Sequence, residues 1–236
     1  MRRGSCVDRA PALTYPAMWA VIPVKRFSLA KQRLSAVLSP SDREALAAAM
    51  LEDVLCALEG VPELQGRLII SQEPRVRALA ARHDCEVLDE APDSDLCGAL
   101  EQAARHLEAN AIAGMLVVPG DVPLLHAATV STLLREHDRV TVVPDRDGIG
   151  TNCLIVSPPR AIEFRFGTDS CRAHQRAAHE RGVTAIVRVV PELGLDIDHA
   201  DDLAELKQRG AAAHTRAVLD AVQRSEHCAQ ASQGLG

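Results

Sequence analysis

Short apolar runs bounded by Gly and Pro alternate along the chain with longer stretches whose apolar positions recur every three or four residues. The first pattern predicts strands and the second amphipathic helices. Residues 19–22 (WAVI), 66–70 (GRLII), 85–88 (CEVL), 114–118 (GMLVV), 140–143 (VTVV), 151–156 (TNCLIV) and 185–190 (AIVRVV) read as strands. Residues 39–59, 74–83, 93–110, 129–137, 170–182 and 201–209 read as helices. The longest of them opens on Ser39-Pro40-Ser41-Asp42, a cap followed by a first-turn proline. This alternation predicts an α/β fold: a single domain on a mainly parallel, doubly wound sheet with helices on both faces. Residues 1–17 hold no periodicity and predict a disordered lead-in. The fold is expected over residues 18–208, and residues 209–236 as a helical extension with a polar tail.

Composition narrows the class of function. Apolar content is 47% over 236 residues, enough for a substantial core. Aromatics are 2%, which excludes a base-stacking platform for single strands. The net charge of −6 argues against a nucleic-acid or anionic-membrane surface. No apolar run has the length of a membrane span. The seven cysteines form no C-x-x-C pair, which argues against a zinc site and suits a reducing cytoplasm.

Four stretches carry candidate chemistry. In VVPGDVPLL, Asp121 follows an apolar strand through Pro119-Gly120, and Pro123 prevents an immediate helix. It either caps its own turn or stands at the sheet edge where ligands bind. The loop after the first strand carries Lys25, Arg26, Lys31 and Arg33, either as a solvated basic loop or as the place where a doubly wound fold meets phosphates. Neither G-x-G-x-x-G nor G-x-x-x-x-G-K-[ST] occurs, which disfavours dinucleotide binding and P-loop hydrolysis. In LGLDIDHADDL, Asp196 and Asp198 alternate in an extended segment, so their side chains are expected to face opposite ways and only one of them to share a site with Asp121. Such a pair would suit a divalent metal; the alternative is that these aspartates only cap the last helix. Finally, Thr151, Gly167 and Ser170 bring a hydroxyl, a glycine and a helix start together, with Arg165 and Arg172 nearby. Spacing alone here favours plain capping.

Taken in order, IPVK with AKQRL, VVPGDVPLL, GTNCLIV, FGTDSCRAH and DIDHADDL resemble the 2-phospho-L-lactate guanylyltransferase family over residues 18–208. The resemblance implies a nucleotide-diphosphosugar-transferase-like fold and transfer of GMP from GTP to a phosphorylated three-carbon acid in coenzyme F-420 biosynthesis, with release of pyrophosphate. It implies that Pro23, Lys25, Lys31, Arg33 and Cys97 hold the nucleotide, with Lys25, Lys31 and Asp121 catalytic. Asp121 with Asp198 or Asp196 would bind magnesium, and Thr151, Gly167 and Ser170 the acid. A cytoplasmic homodimer and a downstream deazaflavin transferase as pathway partner are also implied. The family's Leu-Asn-x-Ala-Leu reads Leu96-Cys97-Gly98-Ala99-Leu100 here, which leans the acceptor towards 3-phospho-D-glycerate. Its Asp-Thr-Pro reads Asp198-His199-Ala200, which leaves the second metal carboxylate open. The acceptor's phosphate is already anionic, so no histidine is expected to be essential. Rival readings are a nucleotidyltransferase for molybdopterin or a sugar phosphate, and a non-catalytic nucleotide-binding module.

Overall fold

The structure, a computed structural model, describes residues 17–233, so the predicted lead-in over 1–17 lies outside it apart from Ala17. Seven strands form one sheet: β1 (Met18–Val24), β2 (Leu64–Ser71), β3 (Glu86–Asp89), β4 (Gly114–Val117), β5 (Val140–Pro144), β6 (Thr151–Val156) and β7 (Ile186–Val187). Their order is β3-β2-β1-β4-β6-β5-β7. β1 pairs in parallel with β2 and β4, and β2 with β3. β6 runs antiparallel to both its neighbours, and β7 is parallel to β5. Every strand except β6 therefore points the same way.

Alternation along β1 shows why the sheet is covered twice. Ala20, Ile22 and Val24 enter one apolar cluster and Val21 the other, as a two-residue period requires. The first cluster is closed by α1 (Pro40–Glu59), α2 (Val76–Arg82) and α4 (Ala127–Arg135), through Leu51, Val54, Leu79 and Leu133. The second is closed by α3 (Leu96–Ala109) and α5 (Ser170–Glu180), through Leu100, Leu107 and Ala177. A third cluster joins Leu46 and Met50 of α1 to α6 (Ala200–Arg209) and α7 (Ala213–Gln233), through Leu206 and Leu219.

Two elements differ from the sequence expectation. The strand expected over 185–190 shrinks to Ile186–Val187, because it pairs on one side only and Val189 is 81% exposed. The basic loop after β1 is folded into two 3-10 turns, Phe27–Leu29 and Gln32–Leu34, anchored by buried Phe27 and Leu34.

The chain reverses its direction of sheet growth between β1 and β4. Connections out of these neighbouring strands diverge there, which leaves a crevice at their carboxyl ends. Because β6 alone is reversed, its first residue, Thr151, reaches the same edge.

Candidate active site

The turn after β4 presents Asp121 to this crevice. Gly120 lies against α1, where an added Cβ would sit 3.1 Å from Leu51 Cδ1, so the turn passes close over the helix. The Asp121 carbonyl accepts a hydrogen bond from Ile197 N at 3.2 Å, which ties the turn to the 196–198 segment. The Ile197 side chain is fully buried. Residues two apart in extended backbone share a side, so Asp196 and Asp198 both project away from that core. The expectation that only one of them shares a site with Asp121 is thereby corrected: both do. Asp198 accepts a hydrogen bond from Lys31 Nζ at 3.0 Å, and Asp121 accepts one from the same ammonium at 2.5 Å. The Asp196 carboxyl is pushed up, first by burial and then by the neighbouring charges of Asp121 and Asp198. Asn152 Nδ2, donating to it at 3.2 Å, works the other way.

Lys31 is the hub. Its side chain is only 6% exposed and its backbone takes the left-handed conformation, φ 54°. Burial alone would lower its ammonium, but Asp121 and Asp198 outweigh burial and hold it above its ordinary value. Arg33, on the same loop, reaches Asp198 at 3.3 Å with a mostly exposed side chain, so solvent screens that pair.

These groups open onto a groove of about 390 Å³ lined by Pro23, Lys25, Lys31, Leu96, Asp121 and Asp198, among others. Burial pushes the Glu90 carboxyl up, and the Lys25 charge opposes that rise from the wall of the groove. Cys97 does not line it. Its thiol is turned towards the Phe166 carbonyl at 3.8 Å, and the residue borders a separate cavity of about 500 Å³ beside Arg105, Arg160 and Glu163. Cys97 thus sits beside the loop that leads to Gly167. Leu96, one residue earlier, faces the groove instead.

At the other end of the sheet edge, Thr151, Ser170 and His174 meet. Ser170 Oγ donates to Thr151 Oγ1 at 3.1 Å, and His174 Nδ1 lies 3.1 Å from the same oxygen. The Arg165 backbone N–H donates to His174 Nε2 at 3.0 Å. His174 is fully buried, with its ring edge-on to Phe166, and burial pushes its imidazole down to about 4. Gly167 stands in the loop before α5 at φ +125°, with open space where a side chain would be. Arg165 is taken up by Glu163 and Glu180, and Arg172 lies loosely beside Asp169, so neither contributes free charge.

Asp202, not Asp198, caps α6. Its carboxylate accepts from His199 N at 2.6 Å and Asp198 N at 2.8 Å, and Arg146 binds it as well. His174 is the residue that sequence reasoning missed. It recurs with Ser170, Ala177 and Ala178 at helical spacing on the buried face of α5, and it closes the FGTDSCRAH stretch, the two signals that could have found it.

Magnesium can be tested against this donor set. Asp121 and Asp198 share a single ammonium, and Asp196 adds a third carboxyl crowded by like charge. Among the described residues, no group of three or more His, Cys, Asp or Glu side chains is arranged to enclose an ion. The residues fit a magnesium held by one or two carboxylates and completed by substrate phosphates.

Comparison with known proteins agrees with this geometry. Residues 18–234 match the family described as guanylyl transferase, CofC like. A phosphoenolpyruvate guanylyltransferase of Conexibacter woesei is 36% identical over 88% of the chain and 97% of its own length. A 2-phospho-L-lactate guanylyltransferase of Methanothermobacter thermautotrophicus is 41% identical over 85% of the chain and 88% of its own. A 3-phospho-D-glycerate guanylyltransferase of Colwellia psychrerythraea is 36% identical over 78% and 88%. Among solved structures, a candidate nucleotide-diphospho-sugar transferase from Desulfovibrio desulfuricans G20 superposes with a TM-score of 0.68 at 16% identity, covering 89% of this chain and 98% of that one. A nucleotidyl transferase from Methanothermobacter thermautotrophicus superposes with a TM-score of 0.62 at 19% identity, covering 82% and 97%. At such identities the structures show the fold.

Proposed function

The chain belongs to the CofC-like guanylyl transferase family, and from that premise we propose that it transfers GMP from GTP to a phosphorylated three-carbon acid, releasing pyrophosphate, in coenzyme F-420 biosynthesis. The observation that carries the reading is Lys31 held between Asp121 and Asp198 at the β1–β4 crevice. It puts cationic and anionic groups for a metal–triphosphate at the topological switch point.

In this reading Lys25, Lys31 and Arg33 bind the triphosphate, and Pro23 and Leu96 flank the nucleoside. Asp121 and Asp198 hold magnesium, with Asp196 behind them. When bound, magnesium offsets the negative charge that grows on the phosphates during transfer. Thr151 and Gly167 bind the acid across the sheet edge, and Ser170, buried behind them, acts through its hydrogen bond to Thr151. The attacking atom is an oxygen of the acceptor's own phosphate, already anionic at neutral pH, so the protein withdraws no proton. It orients the two substrates in line and stabilises charge, which general experience credits with most of the rate in such transfers.

The leaning towards 3-phospho-D-glycerate rests on Cys97, whose thiol meets the Phe166 carbonyl, next to Gly167 of the acid end. That acid and phosphoenolpyruvate, named for a relative matched over 88% of the chain, are the first to assay. No helix among the described residues is long and apolar enough to cross a membrane. On this reading the enzyme works in the cytoplasm, as the family's homodimer, and hands its product to a deazaflavin transferase. The test is pyrophosphate release with magnesium and GTP, each of the three acids supplied separately. Release with one acid names the acceptor; no release with any of them, from folded protein, refutes the reading.

A further inference from the structure

We infer that His174 is a positioning residue: it fixes the Thr151 hydroxyl as a hydrogen donor aimed at the acidic acceptor. The inference deepens the proposed reaction and rests on it. It follows from proton counting. A backbone N–H can only donate, so the Arg165 amide at 3.0 Å makes His174 Nε2 an acceptor. A neutral imidazole with a lone pair on Nε2 carries its proton on Nδ1. That proton points at Thr151 Oγ1, 3.1 Å away. Ser170 Oγ donates to the same oxygen at 3.1 Å. With two donors filling its lone pairs, the Thr151 hydroxyl keeps one function, to donate its own hydrogen. Thr151 is half-buried and begins β6 at the ligand edge, whereas Ser170 and His174 are buried behind it. The free hydrogen is thus the group's outward face, and its partner is an anionic oxygen, a carboxylate or phosphate of the acid. Ordinarily a threonine hydroxyl rotates to suit either a donor or an acceptor; here the histidine removes that choice before the substrate arrives.

Two variants separate this role from a merely structural one. His174→Gln keeps an oxygen near the Nε2 position for the Arg165 amide but loses the donor to Thr151. His174→Asn keeps an N–H near the Nδ1 position but leaves the Arg165 amide without its acceptor. Pyrophosphate release is measured with each acid at saturating GTP, alongside the KM for GTP and thermal melting. Expected is a rise of roughly tenfold in the KM for the acid in the Gln variant, as for loss of one oriented bond to a charged group. The KM for GTP stays unchanged, and the Asn variant lies nearer wild type. The reverse ranking, or equal effects on both substrates, overturns the inference. In a Thr151→Val background the Gln substitution should add nothing; an undiminished effect there also overturns it. Nitrogen-15 NMR of histidine-labelled wild-type protein reads the tautomer without any turnover. A protonated Nδ1 supports the inference and a protonated Nε2 sinks it. Wild-type protein silent with every acid would instead refute the reaction itself.

Discussion

At the scale of single residues the site is governed by one ammonium between two carboxylates. Asp121→Asn should lower turnover by roughly a hundredfold or more, since it removes a charge from the reacting centre, while far-ultraviolet circular dichroism stays native. Retained activity would remove Asp121 from the metal assignment. Lys31→Met should be as damaging to turnover, yet should tighten Mn2+ binding without nucleotide by about tenfold, because a competing charge within hydrogen-bond distance of both carboxylates has gone. Electron paramagnetic resonance of titrated Mn2+ measures this, and an unchanged affinity would show that ammonium and metal do not compete. How visible these residues were in the sequence follows from local geometry. Asp121 was legible because Pro119, Gly120 and Pro123 leave it one place to stand, at a strand's carboxyl end. Asp196 and Asp198 were legible as a pair, and their shared side follows from the two-residue period itself, which the expectation of opposite faces misapplied; only the bond from Ile197 N to the Asp121 carbonyl, which brings the pair to the site, had no local signal. The surroundings of Cys97 were not legible, because neighbouring residues at a helix start face different cavities and only the packing against Phe166 decides which.

At the scale of elements, two carboxylates act as clamps between segments. Asp202 is 1% exposed; burial would raise its carboxyl, but the His199 amide, Arg146 and the Asp198 amide outweigh burial and hold it below the usual range. A folded-state value below the unfolded one, which is about 3.9, gives stability that is complete above that value and is lost as pH falls through the lower one. Acid should therefore loosen the segment carrying Asp196 and Asp198. Asp202→Asn is expected to cost about 2 kcal/mol at pH 7 and to flatten the fall of stability below about pH 4. Urea titrations across pH check both, and an unaltered acid slope would rule Asp202 out as its source. Asp53 of α1 accepts the backbone N–H of His214 at 3.0 Å and of Thr215 at 2.8 Å, capping α7 from another helix. Asp53→Ala should cost about 1–2 kcal/mol and speed amide hydrogen exchange along α7 before the sheet; uniform exchange would argue against this local role. Composition announced a helical extension with a polar tail over 209–236, but the cap of α7, Asp53, lies 161 residues upstream of His214 and had no local signature.

At the scale of the whole molecule, the alternation of short apolar runs and amphipathic stretches was enough for the α/β class, because each pattern is local. Strand direction was not. The reversal of β6 has one sequence correlate, the six residues between β5 and β6 (145–150), far fewer than a parallel crossover needs. That reversal has an inheritance-level consequence. On the proposed reading, the nucleotide end would be assembled from residues 23–33, 96 and 119–121, with 196–198 joining later, whereas the acid end would lie within one continuous stretch, 151–174. Two substrates are thus read by separable portions of the text, and selection can rewrite one without editing the other. Grafting residues 163–175 from a relative that uses a different acid, with Arg146 and Asn152 kept because they hold Asp202 and Asp196, should move acceptor preference while the KM for GTP stays within about twofold. Relatives named for three different acids around a common guanylyl donor are what such a partition would leave behind.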